Sequence, residues 1–372
     1  MEISLPAISD HAAGRDSPIL IRARELVLAY GWNSTSFQIV NPGIRRWFSA
    51  ENDAVAGYMS AGGFRVVAGA PACTVERLLT VVSEFEADAA ASGERVCYFA
   101  AESRLEDLVS ASKRHSKFLL GAQPSWRPAD WPQIVASQKS LRAQINRAKN
   151  KGVTVEEWPA EKAHDNSRLR RCLKQWLNSK GLPPLHFMVE PDTLCRLENR
   201  RIFVATRGED VVGFVMLSPV AQRNGWLFEQ FPHIPGAPNG TVELMVDTAM
   251  RAVAADGAEY ATLGLSPLST RASVPPFDNP LWLKFVLSWL HKHGKRFYNF
   301  DGLDAFKAKL RPQTWEPVFA VSNEPRVSVR AVYAITSAFS GHAPAKMVLG
   351  GLGRAIAVEL ERAAAKLKSL FS

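Results

Sequence analysis

Three cations alternate in the sequence shortly before a proline: Lys307, Lys309 and Arg311. If this stretch is extended, alternate side chains point to the same side of the backbone, and the three cations can converge on one anionic group. Charge-assisted hydrogen bonds of this kind are among the strongest that a protein offers to a phosphate. We therefore predict that the three residues bind a phosphate of the substrate. The alternative is a solvated basic face of a helix.

Two carboxylates are candidates for acid–base chemistry. Glu229 belongs to a predicted strand and could hold an ammonium group or act as a base; the alternative is a carboxylate in water at a sheet edge. Glu243 lies on a predicted helix, one turn before Asp247 and two turns before Arg251. That spacing is also typical of an exposed row of salt bridges. We predict that Glu229 and Glu243 are catalytic, and the structural alternative stays open for each.

Small polar residues occur where predicted elements begin or end. Asn239 precedes a predicted helix and is expected to cap it, while the backbone amides of Gly240 and Thr241 suit an oxyanion or a phosphate. These three residues are predicted to bind substrate. Ser266 ends a predicted strand where a sheet opens into a cleft. It is a further catalytic candidate that could hydrogen-bond the substrate, or it could merely end the strand.

A second group of cations lies in a predicted helix, residues 137–151, which Gly152 is expected to close. Its members are Lys139, Arg142, Arg147, Lys149 and Lys151. The chain carries a formal net charge of +9 and has a pI of about 9.5, which favours polyanionic partners such as nucleic acids or anionic lipids. We predict that all but the last of these cations contact nucleic-acid phosphates. The alternative is a solvated helix.

Length and composition restrict the class of protein. The 372 residues suit two domains, and 47% hydrophobic with 22% charged residues is typical of a globular protein. The four cysteines have neither metal-ligand spacing nor the pattern of a disulfide framework, so we predict no metal and no cofactor. No P-loop, dinucleotide-binding glycine motif or nucleophile elbow occurs. Without a signal peptide or a long apolar run, we expect a cytoplasmic protein.

The first third of the chain has the pattern of a mixed α/β unit. Gly62 and Gly63 are expected to form a tight turn between two strands, because glycine tolerates positive φ. A helix is predicted at Thr74 to Ser92, where apolar residues recur at helical spacing. The predicted strands are Ser36 to Val40, Ala54 to Met59, Arg65 to Ala68 and Arg95 to Ala100.

The second half has the element order of an acetyltransferase-like fold: a meander of three strands, then helix, strand, helix and strand. The ranges are Arg201 to Thr206, Val211 to Pro219, Gly225 to Phe231, Val242 to Ala255, Tyr260 to Leu265, Leu281 to His293 and Val318 to Val321. The glycine-rich turn that holds the pyrophosphate of acyl-CoA in ordinary acetyltransferases is absent before the first of these helices. We therefore predict an acyl donor other than acyl-CoA.

Four segments resemble, in order, signatures of the C-terminal domain of phosphatidylglycerol lysyltransferase. They are Ala237 to Leu244, Leu263 to Ser269, Tyr298 to Leu303 and Phe306 to Pro317, and Leu141 to Arg147 and Leu182 to Leu185 are similar too. The resemblance implies two tandem acetyltransferase-like domains with mixed central sheets, aminoacyl-tRNA as the donor and a phosphatidylglycerol-type hydroxyl as the acceptor. It also implies that Asp301 binds substrate and that Lys309 is catalytic. The cations of the basic helix would then contact tRNA.

The resulting division is an N-terminal domain (1–135), the basic helix with a catalytic domain (136–335), and a C-terminal segment (336–372). Apolar and basic residues of 343–372 recur at near-helical spacing, which is typical of an amphipathic helix. We expect this helix to lie on the inner face of an anionic membrane; the alternative is that it docks back onto the protein. Gln123 to Trp126 departs from the acidic pair that family members often carry, so donor or acceptor identity can differ.

We therefore predict an aminoacyltransferase that moves an amino acid from aminoacyl-tRNA to the hydroxyl of phosphatidylglycerol or a similar lipid. One alternative is transfer from tRNA to a soluble small molecule or a peptide. The other is a non-catalytic protein that binds RNA or a membrane on a transferase scaffold.

Overall fold

The computed structural model describes residues 17–179, 187–190, 192–272, 279–285, 287 and 300–340. Its helices are α1 (Pro18–Tyr30), α2 (Leu78–Ala91), α3 (Ser103–Val109), α4 (Trp131–Ser137), α5 (Lys139–Asn150), α6 (Ala160–Ala163), α7 (Ser167–Ser179), α8 (Thr241–Ala255), α9 (Phe300–Lys309) and α10 (Val329–Ser340). Residues 281–285 and 287 are helical as well. Short 3-10 turns occupy Ser36–Val40, Pro128–Asp130, Phe187–Val189 and Ala221–Arg223.

The strands are β1 (Arg45–Phe48), β2 (Val55–Ala61), β3 (Phe64–Ala68), β4 (Arg95–Ala101), β5 (Ser116–Trp126), β6 (Val153–Trp158), β7 (Arg201–Arg207), β8 (Asp210–Val220), β9 (Gly225–Phe228), β10 (Tyr260–Thr262), β11 (Ser266–Pro267) and β12 (Thr314–Ser322). They join one mixed sheet in the order β1-β2-β3-β4-β12-β5-β10-β9-β8-β7-β6, and β11 pairs with β5.

The two halves of the sheet repeat one pattern. Antiparallel strands β1 to β3 lead through α2 to β4, which is parallel to β3. Antiparallel strands β6 to β9 lead in the same way through α8 to β10, which is parallel to β9. A parallel neighbour requires a crossover connection, and one helix supplies it in each half. The α/β class with mixed sheets, predicted from the sequence, is confirmed.

Strand β12 comes from the end of the described chain but lies between β4 and β5. Its buried residues Val318 to Val321 join the apolar clusters on both faces of the first half. Strand β5 pairs with β12 and with β10, and Trp126 at its end belongs to the core under α8. Strand β12 therefore lies next to β4 of the first half, and β5 lies next to β10 of the second half. The predicted boundaries at residues 135 and 335 stay a prediction.

Helices cover both faces of the sheet, as a two-sided apolar sheet requires. Helices α1 and α10 pack on one face of the first half, and α2 and α3 on the other. Helices α4, α5 and α8 pack on one face of the second half, and α7 on the other. Helix α5 buries Leu141, Ile145 and Ala148, whose spacing of three or four residues leaves its polar side to solvent.

Several local predictions are confirmed. The turn between β2 and β3 contains Gly62 and Gly63 with φ values of 58° and 80°. Helix α5 is followed by Gly152 with φ of 77°, as a helix-ending glycine requires. The meander of β7, β8 and β9, helix α8 and strand β12 all lie where the sequence pattern placed them, with ends shifted by a few residues.

Two local predictions are wrong. The segment Ser36–Val40 is a buried 3-10 turn and not a strand, and its Gln38 side chain reaches into the second half and donates to the Ser218 hydroxyl. The stretch that carries Lys307 and Lys309 is the last turn of α9 and is not extended. Side chains two residues apart on a helix point about 200° apart, so these two cations cannot converge on one group.

Some predicted segments lie outside the described residues. They are Leu182 to Leu185, the predicted helix beyond residue 287, Tyr298 with Asn299, and the basic segment 343–372. No helix within the described ranges is long and apolar enough to cross a membrane.

Candidate functional site

A cavity of about 310 Å³ opens where the N-terminus of α8 meets α5 and the end of α9. Five of the predicted site residues line it: Asn239, Gly240, Thr241, Glu243 and Lys309. The remaining lining residues are Gln144, His233, Ala237, Pro238 and Val242. The structure therefore brings these five candidates together.

The N-terminus of α8 faces this cavity without a capping side chain. Its N-cap is Gly240, with φ of 95°, and no side chain caps it; the exposed Asn239 therefore does not cap the helix as predicted. Thr241 donates to the Pro238 carbonyl with both its hydroxyl, at 2.6 Å, and its amide, at 3.1 Å, so this amide is already paired and does not face a ligand as predicted. The first amides of a helix have no acceptor inside the helix and carry its positive dipole end. This end of α8 can therefore hold a carboxylate, a phosphate or an oxyanion.

A close backbone contact holds α8 against the basic helix α5. A Cβ atom added at Gly240 would lie 1.9 Å from the carbonyl oxygen of Gln144, so only glycine fits here. Gln144 itself lines the cavity from the middle of α5. The contact thus places the basic helix at the rim of the site.

One ion pair crosses the cavity from α9 to α8. The Lys309 ammonium donates to Glu243 Oε1 at 2.6 Å, and the Glu243 carboxylate is largely buried. An ammonium carries three donors and a carboxylate has two oxygens, so both groups retain capacity for a substrate. Of the salt bridges that the Glu243, Asp247 and Arg251 spacing allowed, Arg251 pairs with Asp247 at 2.9 Å, whereas Glu243 pairs with Lys309 instead.

Lys307 points away from the cavity into the protein. Its side chain is almost completely buried and its ammonium donates to the carbonyls of Gly264 and Leu265, both at 2.8 Å. Burial lowers the pKa of Lys307 to about 7, while the Asp304 carboxylate acts in the opposite direction. Lys307 therefore fastens the connection between β10 and β11. The predicted convergence of Lys307 with Lys309 on one phosphate is wrong.

Ser266 lies close to α9 and outside the cavity lining. Its buried hydroxyl donates to Asp304 Oδ1 at 3.4 Å, and Arg271 donates to the other oxygen of that carboxylate at 2.7 Å. Burial opposes ionisation of Asp304, but hydrogen bonds from Ser269 and Arg271 outweigh it and lower the pKa of this carboxyl. The arrangement ties α9 to the sheet.

The two remaining predicted substrate ligands are at the surface. Asp301 is exposed in the first turn of α9 and has partners within the protein. Arg311 is exposed with φ of 53°, and its Nε donates to Gln138 at the start of α5, at 3.3 Å. Neither residue is part of the cavity lining.

Glu229 is buried in a different polar cluster. It accepts from Arg200 Nε at 2.9 Å and from Gln38 at 3.2 Å, and Arg200 also donates to Asn41 at 2.7 Å. Glu229 is thus neither an edge carboxylate in water nor a lining residue of the cavity. The cluster joins the Ser36–Val40 turn to the meander.

The cations of α5 divide into two kinds. Lys139, Arg147 and Lys149 are exposed on the solvent side of the helix. Arg142 is half-buried and donates to the carbonyls of Val135, at 3.2 Å, and Ala136, which are the last carbonyls of α4. Three of the four predicted tRNA ligands are therefore available to a polyanion, and Arg142 instead stabilises the junction of two helices.

Sequence reasoning missed a buried ionic cluster where the two halves meet. Arg223 contacts Glu316 at 2.5 Å and Glu102 at 3.3 Å, and its guanidinium lies 3.5 Å from the centre of the Tyr260 ring. Burial raises the pKa of Glu102, and Arg223 partly offsets this effect. Gln123, from the stretch that departs from the family pattern, donates to Glu316 at 3.0 Å. The sequence signal that could have indicated this cluster was Glu316, in the family-like motif Trp-Glu-Pro.

His233 is the second residue that the sequence did not single out. It lines the cavity and occupies the connection between β9 and α8. A lone histidine between apolar residues and prolines gives no signal of its own. Within the described residues, no group of three or more His, Cys, Asp or Glu side chains is placed to hold a metal ion.

The fold is that of an acetyltransferase-like α/β protein. The model of the family "phosphatidylglycerol lysyltransferase, C-terminal" matches residues 24–322, and the chain belongs to this family. The C-terminal domain of a proposed lysylphosphatidylglycerol synthetase from Agrobacterium fabrum is similar in structure, with a TM-score of 0.73 and 21% identity over 87% of this chain and 97% of that one. L-PGS from Bacillus licheniformis gives 0.71 and 20% over 87% and 95%. No curated protein matches the sequence.

Replacing Gly240 should separate α8 from α5. Gly240→Ala places a Cβ atom 1.9 Å from the Gln144 carbonyl oxygen at a φ of 95°. Gly236→Ala is the matched control, because its φ is 86° and no atom lies within 4 Å of the added Cβ. The control should lose about 1–2 kcal/mol of unfolding free energy from its positive φ. Gly240→Ala should lose about 1–3 kcal/mol more, measured by urea unfolding. Equal losses would disprove the close contact.

The buried Lys307 should make stability depend on pH. Its pKa is about 7 in the folded protein against an ordinary 10.5, so between these values the unfolded chain binds more protons. The unfolding free energy of the wild type relative to Lys307→Met should therefore rise from pH 7 to pH 10, by at most about 1.4 kcal/mol per pH unit. Urea unfolding of both proteins across this range measures the difference. A difference independent of pH would contradict the prediction.

Proposed function

We propose that this protein transfers an amino acid from aminoacyl-tRNA to the hydroxyl of phosphatidylglycerol or a similar lipid. The proposal rests on the cavity at the start of α8, which combines free helix amides with the Lys309–Glu243 pair in a chain of the lysyltransferase family.

The reaction requires mainly that the protein align the two substrates and stabilise the charge that develops during transfer. An aminoacyl ester is already activated, so transfer to a hydroxyl requires alignment, removal of one proton and stabilisation of the tetrahedral oxyanion. The amides of Val242 and Glu243, in the first turn of α8, can donate to the oxyanion, and one such donor is worth about 3 kcal/mol. Glu243 can accept a hydrogen bond from the α-ammonium group of the amino acid, and Lys309 can donate to the ester carbonyl or a phosphate.

The surface beside the cavity suits the tRNA end. Lys139, Arg147 and Lys149 lie on the exposed side of α5, the helix whose Gln144 lines the cavity. Cations on one face of a helix attract a phosphate backbone whatever its sequence. A tRNA bound across α5 would have its acceptor end within reach of the start of α8.

A transfer assay tests the proposal. Purified protein is incubated with total tRNA, aminoacyl-tRNA synthetases, each radiolabelled amino acid and phosphatidylglycerol vesicles. We expect label in the lipid fraction with at least one amino acid. Lys309→Met should lower the rate by about 10²-fold or more, the effect of removing one electrostatic donor. Lys113→Met is the matched control, an exposed lysine in the loop before β5. Label in a water-soluble product would move the acceptor to a soluble molecule, and no transfer at all would refute the proposal.

Neutralising α5 should weaken tRNA binding and reduce its salt dependence. The triple variant Lys139→Ala, Arg147→Ala, Lys149→Ala removes up to three phosphate contacts, so the slope of log K against log salt should fall by roughly 2–3. The triple variant Arg45→Ala, Lys113→Ala, Arg114→Ala removes the same charge from exposed positions in the first half and should change the slope little. Filter binding between 50 and 200 mM salt measures both. Equal effects of the two triples would mean that only net charge matters.

A further inference from the structure

His233 is held rigidly at the wall of the cavity. The residues on both sides of it pair with β8: Phe214 N donates to the Pro232 carbonyl at 2.9 Å, and Ile234 N donates to the Val212 carbonyl at 3.0 Å. His233 itself forms an antiparallel bridge with Gly213. The backbone position of His233 is therefore fixed by its pairing with β8.

A single hydrogen bond determines which ring nitrogen of His233 carries the proton. Nδ1 lies 2.8 Å from the carbonyl oxygen of Phe231. A carbonyl oxygen can only accept, so Nδ1 must donate and the neutral ring has its lone pair on Nε2. Within the described part of the chain, Nε2 has no hydrogen-bond partner.

The other titratable groups of the cavity are already paired. Of the lining residues, only His233, Glu243 and Lys309 can gain or lose a proton, and Glu243 accepts from Lys309 at 2.6 Å. Among these three lining residues, His233 is the one whose basic nitrogen, Nε2, has no hydrogen-bond partner within the described residues. A base that already has its tautomer fixed by a backbone carbonyl is arranged as a general base requires.

From this geometry we infer that His233 is the general base that accepts the proton of the acceptor hydroxyl during aminoacyl transfer; the inference rests on the proposed function. As the hydroxyl oxygen attacks the ester carbonyl carbon, its proton passes to Nε2 and the carbonyl becomes an oxyanion beside the start of α8. The oxyanion then collapses, the bond to the tRNA ribose oxygen breaks, and Nε2 returns the proton to that oxygen. The ring ends in its starting state, and no further reactant is needed.

The inference predicts a specific loss of rate. Positioned acid–base catalysis contributes about 10²–10⁴-fold, so His233→Gln should lower the transfer rate to the lipid by that factor. A general base acts only in its unprotonated form, so acid should lower the wild-type rate more than the variant's rate. Glu243 and Lys309 are the other titratable groups facing the cavity, and both remain in the variant. His164→Gln, at an exposed histidine between α6 and α7, should leave the rate unchanged.

Two further readouts separate a base from a structural role. Hydroxylamine attacks esters without help from a base, so, after subtraction of the rate without protein, wild type and His233→Gln should form aminoacyl hydroxamate from bound aminoacyl-tRNA at equal rates. Added imidazole should restore lipid transfer in His233→Ala at least about tenfold, because it supplies the missing base. A structural role would lower both reactions together and would give no rescue.

The outcomes distinguish the two proposals. If the wild-type protein transfers no amino acid to any acceptor, the proposed function fails. If the wild type is active and His233→Gln retains its rate and its pH profile, the base is another group and the inference about His233 is overturned. Equal loss of lipid transfer and hydroxamate formation in both His233 variants, without rescue by imidazole, would overturn it as well.

Discussion

Strand β12 pairs with β5 from Thr314 to Ser322, and this pairing determines where α9 lies. The short connection between α9 and β12 is fastened to the end of β5 by two hydrogen bonds: Trp126 Nε1 donates to the Leu310 carbonyl and Gln313 N to the Ser125 carbonyl, both at 3.0 Å. Leaving such buried groups unpaired costs about 1–3 kcal/mol each. Lys309, at the end of α9, is held in the cavity by a strand whose buried side chains lie in the other half of the protein.

The ionic cluster around Arg223 belongs to the same constraint. It connects the end of β4, through Glu102, with β12, through Glu316, and with β10, through Tyr260. A buried ion pair adds little net stability because both charges lose their hydration, but removing one partner costs about 3–5 kcal/mol. The cluster therefore acts against any relative shift of these strands, since a shift would leave two buried carboxylates without their cation.

Local sequence signals predicted the cavity well. The turn before α8 and the family-like segments singled out Asn239 to Thr241, Glu243 and Lys309, because each belongs to one helix end or one short motif; that Lys309 meets the start of α8 follows from the structure alone. Lys307 was misplaced because its direction depends on whether the backbone is helical or extended, and alternation in sequence does not decide this. The two cations of α9 consequently serve different ends: one faces the cavity and the other fastens a loop.

Contacts between distant residues account for the rest. The environment of Glu229 depends on Gln38 and Arg200, and neither residue is near it in sequence. The tautomer of His233 depends on the carbonyl of Phe231, two residues earlier, and its backbone position depends on the pairing with β8. No sequence periodicity predicts either contact. The position of β12 between β4 and β5 results from pairing between strands that are far apart in the sequence, so local sequence patterns do not predict it.

Because Gly240 has no side chain, the helix proposed to bind tRNA lies directly against the helix end proposed to stabilise the oxyanion. Helix α5 has twelve residues and is therefore about 18 Å long, with Lys139 and Lys149 towards its two ends and Gln144 between them. At 0.1 M salt, electrostatic interactions between exposed charges extend over about 10 Å. A polyanion bound at either end of α5 therefore lies within about this distance of Gln144, at the centre of the helix. The start of α8 reaches that centre only because its backbone can touch the Gln144 carbonyl. A larger residue at Gly240 would separate the surface that attracts phosphate from the amides that stabilise an oxyanion.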